Sequence, residues 1–439
     1  MKQARILLLG GNYLPEPTGI GKYNGEMMTW LAQSGYDCGV ITSYPYYPYW
    51  KTQAPYGKKS FWYTKESTAA KDTNITTYRC PQYIPQDPSG MKRIISDFSF
   101  FISAFFQILV LLFCKKYDYV LVVVPPFQLG LLGILYKTVR RAKLVYHIQD
   151  LQIDAAKELG MIKSATILNV LFRLEKYILS KADYISTISE GMIEKTMAKC
   201  QRPVIFFPNW VDTHHFSPVI DKARIKAEYH IRHDEKVVLY SGAIGEKQGL
   251  ESIVFAAKAL AGERIRFVIC GTGPYQAKLQ ALVSRSELTN ILFLPLQPKE
   301  SFNRFLNMAD IHLVLQKPHA NDLVMPSKLT TILAVGGLAL VTASKKTSLY
   351  NIIARNDMGI IVEPGDQEAL LESIRTAVAF SYPSIQKNAR EYALKYLTID
   401  SVIKDFLAQI SIVTPTGGSL RPEPAKAKTE VLNADVASA

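Results

Sequence analysis

Short apolar segments rich in Ile, Leu and Val alternate with segments of helix length, and this alternation limits the possible folds more than any other feature of the chain. The strand-like segments lie at residues 5–9, 119–124, 143–148, 183–188, 237–241, 266–270, 311–315 and 338–342. Apolar strands separated by helices are typical of parallel sheets wound by helices. The sequence therefore predicts an α/β protein, and it contains no repeat of fixed period.

The chain has 439 residues, which is long for one hydrophobic core and suits two domains of roughly 200 residues each. A strand near residue 207 ends in turn residues, and a new series of strands and helices begins after them. We therefore expect a first domain at residues 1–208, a second at 209–398 and a C-terminal helix at 399–411. Residues 412–439 are rich in Pro, Gly, Lys and Glu, which predicts a disordered tail.

Two successive strand-to-helix connections contain glycines. YSGAIGEKQGLESI at 240–253 carries Lys247 in its loop, and FVICGTGP at 267–274 follows the next strand. Such a turn is often only a connection, but glycine also lets a phosphate approach the backbone, and a helix N-terminus attracts anions. Because parallel strands end at one edge of a sheet, the two loops together predict a nucleotide site there. Neither loop has the G-x-G-x-x-G pattern of dinucleotide dehydrogenases.

The net charge of +13 lies mostly in the first half of the chain, where residues 1–208 hold 25 Lys and Arg against 15 Asp and Glu. This excess predicts an anionic partner. The sequence has no arginine-rich run or zinc-finger spacing, so we expect an anionic membrane surface and no nucleic acid. The five cysteines are far apart, which indicates a reducing cytoplasm and no metal site. The short apolar start does not resemble a signal peptide.

Residues 98–114 form 17 uncharged positions between two pairs of cations. As a helix this run would span about 25 Å, less than the roughly 30 Å of a bilayer core. Ser99, Ser103 and Gln107 draw a narrow polar stripe along it. Three interpretations stay open: a buried crossover helix, a helix partly immersed in the membrane interface, or a span. We expect peripheral attachment.

Nine aromatic residues between Tyr44 and Tyr63 are interleaved with Pro and Lys. The segment is either a packed Pro-rich loop or a loop that binds an acceptor or the membrane interface, because Tyr and Trp rings suit sugar faces and wet–apolar boundaries. Tyr47 and Trp50 are the candidate acceptor-binding residues.

A set of ordered motifs resembles the GT-B glycosyltransferases, specifically family 4 of the retaining enzymes, over about residues 4–411. The motifs are GNYLPEPTGIGKYNGEM at 11–27, HIQD at 147–150, FFPNWVD at 206–212, YSGAIGEKQGLE at 240–251, CGTGP at 270–274, PSKLTTILAVGG at 326–337 and VEPGD at 362–366. Within that family they are similar to the colanic-acid-type fucosyltransferases of exopolysaccharide assembly.

This resemblance implies two Rossmann-like, doubly wound domains facing a cleft, with the nucleotide sugar held mainly by the second and the acceptor by the first. It also implies a donor-binding set, with Lys247 and Lys328 near the diphosphate and no metal or other cofactor. The donor-binding residues are Gly19, Gly21, Gly242, Lys247, Gly271, Gly273, Ser327 and Lys328.

His147 and Asp150 are the candidate catalytic residues, at the end of the strand LVYHIQD. His147 would orient the donor sugar or share its charge at the transition state, while Asp150 would hold either His147 or an acceptor hydroxyl. No motif supplies a nucleophilic carboxylate, so front-face retention is the expected route.

The sequence departs from the family pattern in the second domain. Ala243 replaces an arginine, Lys247 lies one position early, and Thr331 stands where a glutamate is usual. We expect an enzyme at the cytoplasmic face of the membrane that moves a sugar, plausibly fucose from GDP-fucose, to a lipid-linked oligosaccharide. The alternatives are a GT-B-shaped sugar-nucleotide epimerase and a non-catalytic membrane scaffold with a vestigial donor site.

Overall fold

The structure is a computed structural model, and it describes residues 4–70, 73–158, 161–162, 164–318, 327–345 and 347–411. Two sheets dominate it, each wound by helices, and the predicted α/β architecture is confirmed. The tail predicted at 412–439 lies outside the described residues.

The first sheet belongs to the N-terminal half of the chain. Its elements are β1 (Arg5–Leu9), α1 (Gly19–Gln33), β2 (Asp37–Ser43), β3 (Thr64–Ala70), β4 (Thr73–Cys80), α2 (Gly90–Leu111), β5 (Tyr119–Val124), α3 (Leu129–Arg140), β6 (Lys143–Ile148), α4 (Gln152–Glu158), α5 (Ala165–Lys181), β7 (Tyr184–Thr187), α6 (Glu190–Cys200) and β8 (Ile205–Phe206). The strand order is β3-β4-β2-β1-β5-β6-β7-β8, and only β3 runs antiparallel to its neighbour. The central strands are apolar throughout because helices cover both of their faces.

The second sheet repeats this design with six parallel strands in the order β11-β10-β9-β12-β13-β14. Its elements are α7 (Lys222–Glu228), β9 (Lys236–Ser241), α8 (Glu251–Ala259), β10 (Ile265–Cys270), α9 (Gln276–Arg285), β11 (Ile291–Leu294), α10 (Lys299–Asn307), β12 (Ile311–Val314), α11 (Ser327–Ala334), β13 (Ala339–Thr342), α12 (Ser348–Asn356), β14 (Ile360–Val362), α13 (Gln367–Ala379) and α14 (Pro383–Tyr396). The order reverses at β9 and β12, so the loops that follow these strands open a crevice at the carboxyl edge.

The last helix, α15 (Ile399–Gln409), returns to the first sheet. Its Phe406 ring stacks on Phe207 with the centroids 3.9 Å apart. Trp210 donates from Nε1 to Glu26 of α1 at 2.8 Å, and the Val211 N–H donates to the Leu397 carbonyl at 2.8 Å. The chain therefore crosses from one domain to the other twice, and the two crossing segments lie next to each other.

Helix α2 has the position of a crossover between β4 and β5, but its polar stripe points inward. Ser103 and Gln107 are buried and Ser99 is half-buried, while Phe98 and Phe106 are exposed. Among the described residues α2 is the one helix that is long and apolar enough to cross a membrane by length and composition, a test that core helices also pass. Only 33% of its most apolar window is buried.

Candidate active site at the carboxyl edges of the two sheets

The β9–α8 and β10–α9 loops pack directly against each other. The Gly242 N–H donates to the Cys270 carbonyl at 2.9 Å, and the Ile244 N–H donates to the Thr272 carbonyl at 3.0 Å. A Cβ on Gly271 would lie 1.9 Å from the Gly242 oxygen. The two loops can therefore meet only because residue 271 has no side chain.

Gly273, two residues after Gly271, also allows close contact between the two loops. A Cβ there would lie 2.2 Å from the Ile244 carbonyl oxygen. Within the described residues, no hydrogen bond occupies the N–H groups of Ala243, Gly245, Thr272 and Gly273. The backbone of both loops thus presents N–H donors, although the motif glycines themselves serve mainly to bring the loops together.

Lys328 lies beneath the first of these loops. Its Nζ is 3.7 Å from the centroid of the Tyr240 ring and 3.0 Å from where a Cβ on Gly242 would stand. The amine is buried and has no hydrogen-bond partner among the described residues. Burial lowers the pKa of Lys328 from 10.5 to about 7. Ser327 begins helix α11 immediately before it.

Lys247 lies on the exposed side of the same loop, in a single 3₁₀ turn at Glu246–Gln248. Its carbonyl accepts the N–H of Lys317 at 3.0 Å. Lys317 follows β12, and it adds a cation to the loop cluster that no sequence motif indicated. Its position was not predictable because the contact joins segments 70 residues apart along the chain.

His147 is buried at the end of β6. Its Nδ1 lies 3.0 Å from the Ser186 hydroxyl and its Nε2 lies 2.8 Å from the Gln149 side-chain nitrogen. Burial lowers the pKa of His147 to about 3, so the ring is neutral. The ring thus has a partner within the protein at each of its two nitrogens. It holds Gln149, whose amide also donates to Asn209 at 3.2 Å.

Asp150 follows the same strand but has no described hydrogen bond to His147. Burial raises the pKa of Asp150, and the positive charge of Lys247 opposes that shift. The carboxyl group of the first domain therefore faces a loop cation of the second. This pair marks the crevice between the two sheets.

Glu16 ties the glycine loop that follows β1 to the aromatic loop at residues 44–63, and sequence reasoning missed it. Its Oε1 accepts the N–H groups of Tyr46 and Tyr47 at 3.0 and 2.9 Å. A Cβ on Gly21 would lie 2.4 Å from its Oε2, so residue 21 must be small. Burial raises the pKa of the Glu16 carboxyl.

The aromatic loop is ordered rather than extended into solvent. Tyr47 is 38% exposed and its ring lies over Gly19, where a Cβ would be 3.3 Å from Cε1. Gly19 itself has φ +64°, which favours glycine. Trp50 is half-buried, with its ring centroid 5.4 Å from that of Tyr46.

No group of three or more His, Cys, Asp or Glu side chains in the described ranges could hold a metal ion. The cations and backbone N–H donors described above are groups that suit an anionic ligand.

Two family models match the chain and together cover most of it. The model of the glycosyl transferase 4-like domain matches residues 18–210, and the model of glycosyl transferases group 1 matches residues 221–396. A protein of Escherichia coli strain K12, named as the colanic acid biosynthesis glycosyl transferase WcaI, is 39% identical over 415 residues. That similarity covers 92% of this chain and 99% of the relative.

Solved structures agree on the fold. Sucrose-phosphate synthase from Thermosynechococcus elongatus superposes with a TM-score of 0.70 at 16% identity, covering 93% of this chain and 99% of the other. Anabaena Alr3699/HepE in complex with UDP gives 0.67 at 12% identity, covering 93% of this chain and 100% of the other. With both domains matched by the family models, the chain belongs to the group 1 glycosyltransferases of GT-B fold, which are nucleotide-sugar-dependent enzymes.

Proposed function

We propose that this enzyme is a retaining glycosyltransferase that moves fucose from GDP-fucose to a lipid-linked oligosaccharide in exopolysaccharide biosynthesis of the colanic acid type. The 39% identity to WcaI along nearly the whole chain supports the biosynthetic role. The choice of GDP-fucose comes from the motif resemblance, and the choice of a lipid-linked acceptor also comes from the apolar outer face of α2.

One observation carries the proposal of a donor site: Lys328 is a buried amine that has no hydrogen-bond partner among the described residues, directly under the glycine loop. An uncompensated buried charge is unfavourable, so such an amine is retained where a ligand supplies the opposite charge. A nucleoside diphosphate bound at the two loops would supply it. The N–H groups of Ala243 and Thr272, which have no hydrogen-bond acceptor within the described ranges, and the exposed Lys247 would complete the anion site.

These groups fit the chemistry of the leaving group. The diphosphate gains negative charge as the glycosidic bond breaks, and fixed cations and N–H donors stabilise that charge at the transition state. We assign this role to Lys328 and Lys247 in place of a metal ion.

Retention is proposed to occur at the front face. The acceptor hydroxyl attacks the anomeric carbon from the side that the diphosphate leaves, and its proton passes to the departing phosphate oxygen. Asp150 would bind the acceptor hydroxyl, while His147 would act indirectly by fixing Gln149. The anomeric configuration of the product, read by NMR, tests this step, because an inverted product contradicts it.

The outer face of α2 supports peripheral attachment to the inner face of the cytoplasmic membrane. Its exposed apolar side chains form one continuous stripe: Met91, Ile94, Ile95, Phe98, Ile102, Phe106, Val110 and Phe113. Lys92, Arg93, Lys115 and Lys116 lie at its two ends. An apolar face between cations suits an anionic lipid surface.

The decisive experiment for activity incubates the protein with a panel of nucleotide sugars and lipid-linked acceptors and identifies products by mass spectrometry. Lys328→Ala should lower turnover roughly 30- to 1000-fold, because a charge-assisted contact at the transition state contributes about 2 to 4 kcal/mol. Lys387→Ala, on the exposed face of α14, is the matched control.

The alternatives make different predictions in the same assay. An epimerase would convert donor without acceptor, and a scaffold would bind membranes without product. Near-normal turnover and nucleotide binding in a folded Lys328→Ala variant would contradict the proposed donor site.

A further inference from the structure

A second polar site lies on the inner side of α2, among the loops at the carboxyl edge of the first sheet. Asp97 is its central residue. The Gln152 side chain donates to Asp97 Oδ2 at 2.9 Å, and Gln152 Oε1 in turn accepts the Phe127 N–H at 3.2 Å. Within the part of the chain that the structure describes, the other oxygen of Asp97 has no hydrogen-bond partner. One carboxylate oxygen is thus held in place and the other is free.

Two aromatic residues, Trp50 and Tyr46, lie near Arg93, which is one helical turn before Asp97 on α2. The Arg93 guanidinium lies over the Trp50 ring, 5.0 Å from its centroid, and the centroids of the Tyr46 and Trp50 rings are 5.4 Å apart. Trp50 holds φ +50°, a left-handed conformation that an aromatic residue rarely adopts. Such backbone conformations are concentrated at ligand sites, where packing fixes a side chain in an unusual direction.

The electrostatics link these residues. Burial raises the pKa of Asp97 to about 6, while the Gln152 hydrogen bond and the Arg93 charge oppose the shift. Burial, with the charges of Glu16 and Asp97, raises the pKa of Tyr46. Asp97, Arg93 and Tyr46 therefore lie within electrostatic reach of one another, and Asp97 is ionised at neutral pH.

A fixed carboxylate near a cluster of aromatic rings is a combination suited to a sugar ring. The carboxylate accepts hydrogen bonds from hydroxyl groups, and the apolar face of the ring packs on the aromatic surface. The two glycine loops proposed to bind the diphosphate lie in the second domain, whereas this site lies in the first domain, on the side proposed for the acceptor.

We propose that Asp97, together with Trp50 and Arg93, forms the subsite that binds a hydroxyl-bearing sugar ring of the acceptor. This inference rests on the proposed function, in which the acceptor is a saccharide. Asp97 would bind the hydroxyls and Trp50 would pack against the sugar ring. Arg93 would fix the indole in place, and its positive charge would favour the ionised form of Asp97. Helix α2 would then contact lipid with one face and the acceptor sugar with the other.

The test measures binding without turnover. Saturation-transfer NMR with octyl glucoside, octyl galactoside and octyl fucoside below their micelle concentrations reports contact with the full-length protein. We expect at least one glycoside to bind the wild type and Asp97→Asn to weaken it roughly 10- to 100-fold, since an isosteric amide keeps the shape but loses the charge. Asp87→Asn, in the exposed loop before α2, is the control.

Two further readouts separate recognition from folding. GDP affinity and melting temperature should stay unchanged in Asp97→Asn, and wild-type glycoside binding should weaken below about pH 6 whereas the variant should not respond. The titratable or charged groups facing Asp97 are Arg93 on its own helix and Tyr46 on the aromatic loop. If Asp97→Asn fails to fold, the exposed Arg93→Gln and the conservative Trp50→Phe decide the question.

The outcomes are distinguishable from failure of the proposed function. No glycoside binding by the wild type, or equal binding by wild type and variants, overturns the subsite. Glycoside binding that depends on Asp97, in a protein that transfers no sugar from any donor, overturns the proposed reaction and keeps the subsite.

Discussion

The buried amine of Lys328 makes the stability of this enzyme depend on pH. Lys328 has a folded-state pKa of about 7, below its ordinary value of 10.5. The folded protein therefore releases a proton that the unfolded chain keeps, and the free energy of unfolding rises with pH between these two values. Below about pH 7 the lysine is charged, with no hydrogen-bond partner in the part of the chain that the structure describes, and it destabilises the ligand-free state most.

We expect GDP binding near pH 8 to take up a proton, because the bound diphosphate favours the charged form of Lys328. Isothermal calorimetry in buffers of different ionisation enthalpy measures that uptake. Lys328→Met should abolish it, weaken GDP binding and raise the melting temperature of the free protein at pH 6. Lys387→Met should change none of these. Equal proton uptake in both variants would show that another group titrates.

Residues also show which parts of the site a sequence can predict. The motifs located Gly271 and Gly273 correctly at the loop edge, but the physical reason, close contact with the neighbouring loop, depends on a register that only the fold supplies. Glu16 and Lys317 carried no local pattern, because their partners lie far away along the chain. His147 lies at the end of a strand as expected, yet its burial also depends on Phe207 and Ser186, which lie far away along the chain.

At the scale of elements, α2 differs from an ordinary surface helix because both of its sides are apolar, and its narrow polar stripe lies on the buried side. The sequence predicted its polar stripe but not its direction, since periodicity shows that a face exists and not what covers it. The helix begins at Gly90, eight residues before the uncharged run at 98–114, and ends at Leu111, before the end of that run. The buried serines and Gln107 face the first sheet.

If α2 lies in a lipid interface, replacing Phe98, Ile102 and Phe106 by Gln should abolish sedimentation with vesicles of phosphatidylglycerol and phosphatidylethanolamine. Each large apolar side chain contributes about 1.5 to 3 kcal/mol when buried. Raising the salt concentration should weaken binding of the wild type, because the flanking cations act through screened attraction.

The control is Phe380→Gln with Leu394→Gln, two exposed apolar residues of the second domain. Release by detergent alone, insensitive to salt, would instead favour a span. Unchanged binding of the triple variant would place the membrane contact elsewhere.

At the scale of the whole molecule, the elements of the second sheet are inserted in the chain between β8 and α15, and both of these belong to the core of the first domain. Helix α15 closes a core that also contains β1 and α1, and Phe207 and Phe406 stack across the junction. The sequence indicated a final helix, but not that it packs against the first half, because contacts over nearly 400 residues leave no local pattern. The Trp30 indole donates to Asp400 at this junction.

Phe406→Ala should therefore destabilise the first domain, although the residue lies near the C-terminal end of the described chain. Removing a stacked, buried ring costs about 3 to 5 kcal/mol. Guanidinium unfolding followed through the fluorescence of Trp30 and Trp210 measures the loss, and Phe380→Ala, at an exposed position, should change it by less than about 0.5 kcal/mol. A loss confined to the second domain would contradict this packing.

The double passage of the chain also sets an order of events during synthesis. The part of the enzyme that carries the apolar face of α2 leaves the ribosome first, yet its core lacks one wall until residues 399–410 have been translated. A chain that stops early would expose Phe207 and the apolar side of α1, both of which the last helix covers. The stability of the first half of the polypeptide therefore depends on synthesis of its last helix, and we expect truncated products to be more accessible to proteases.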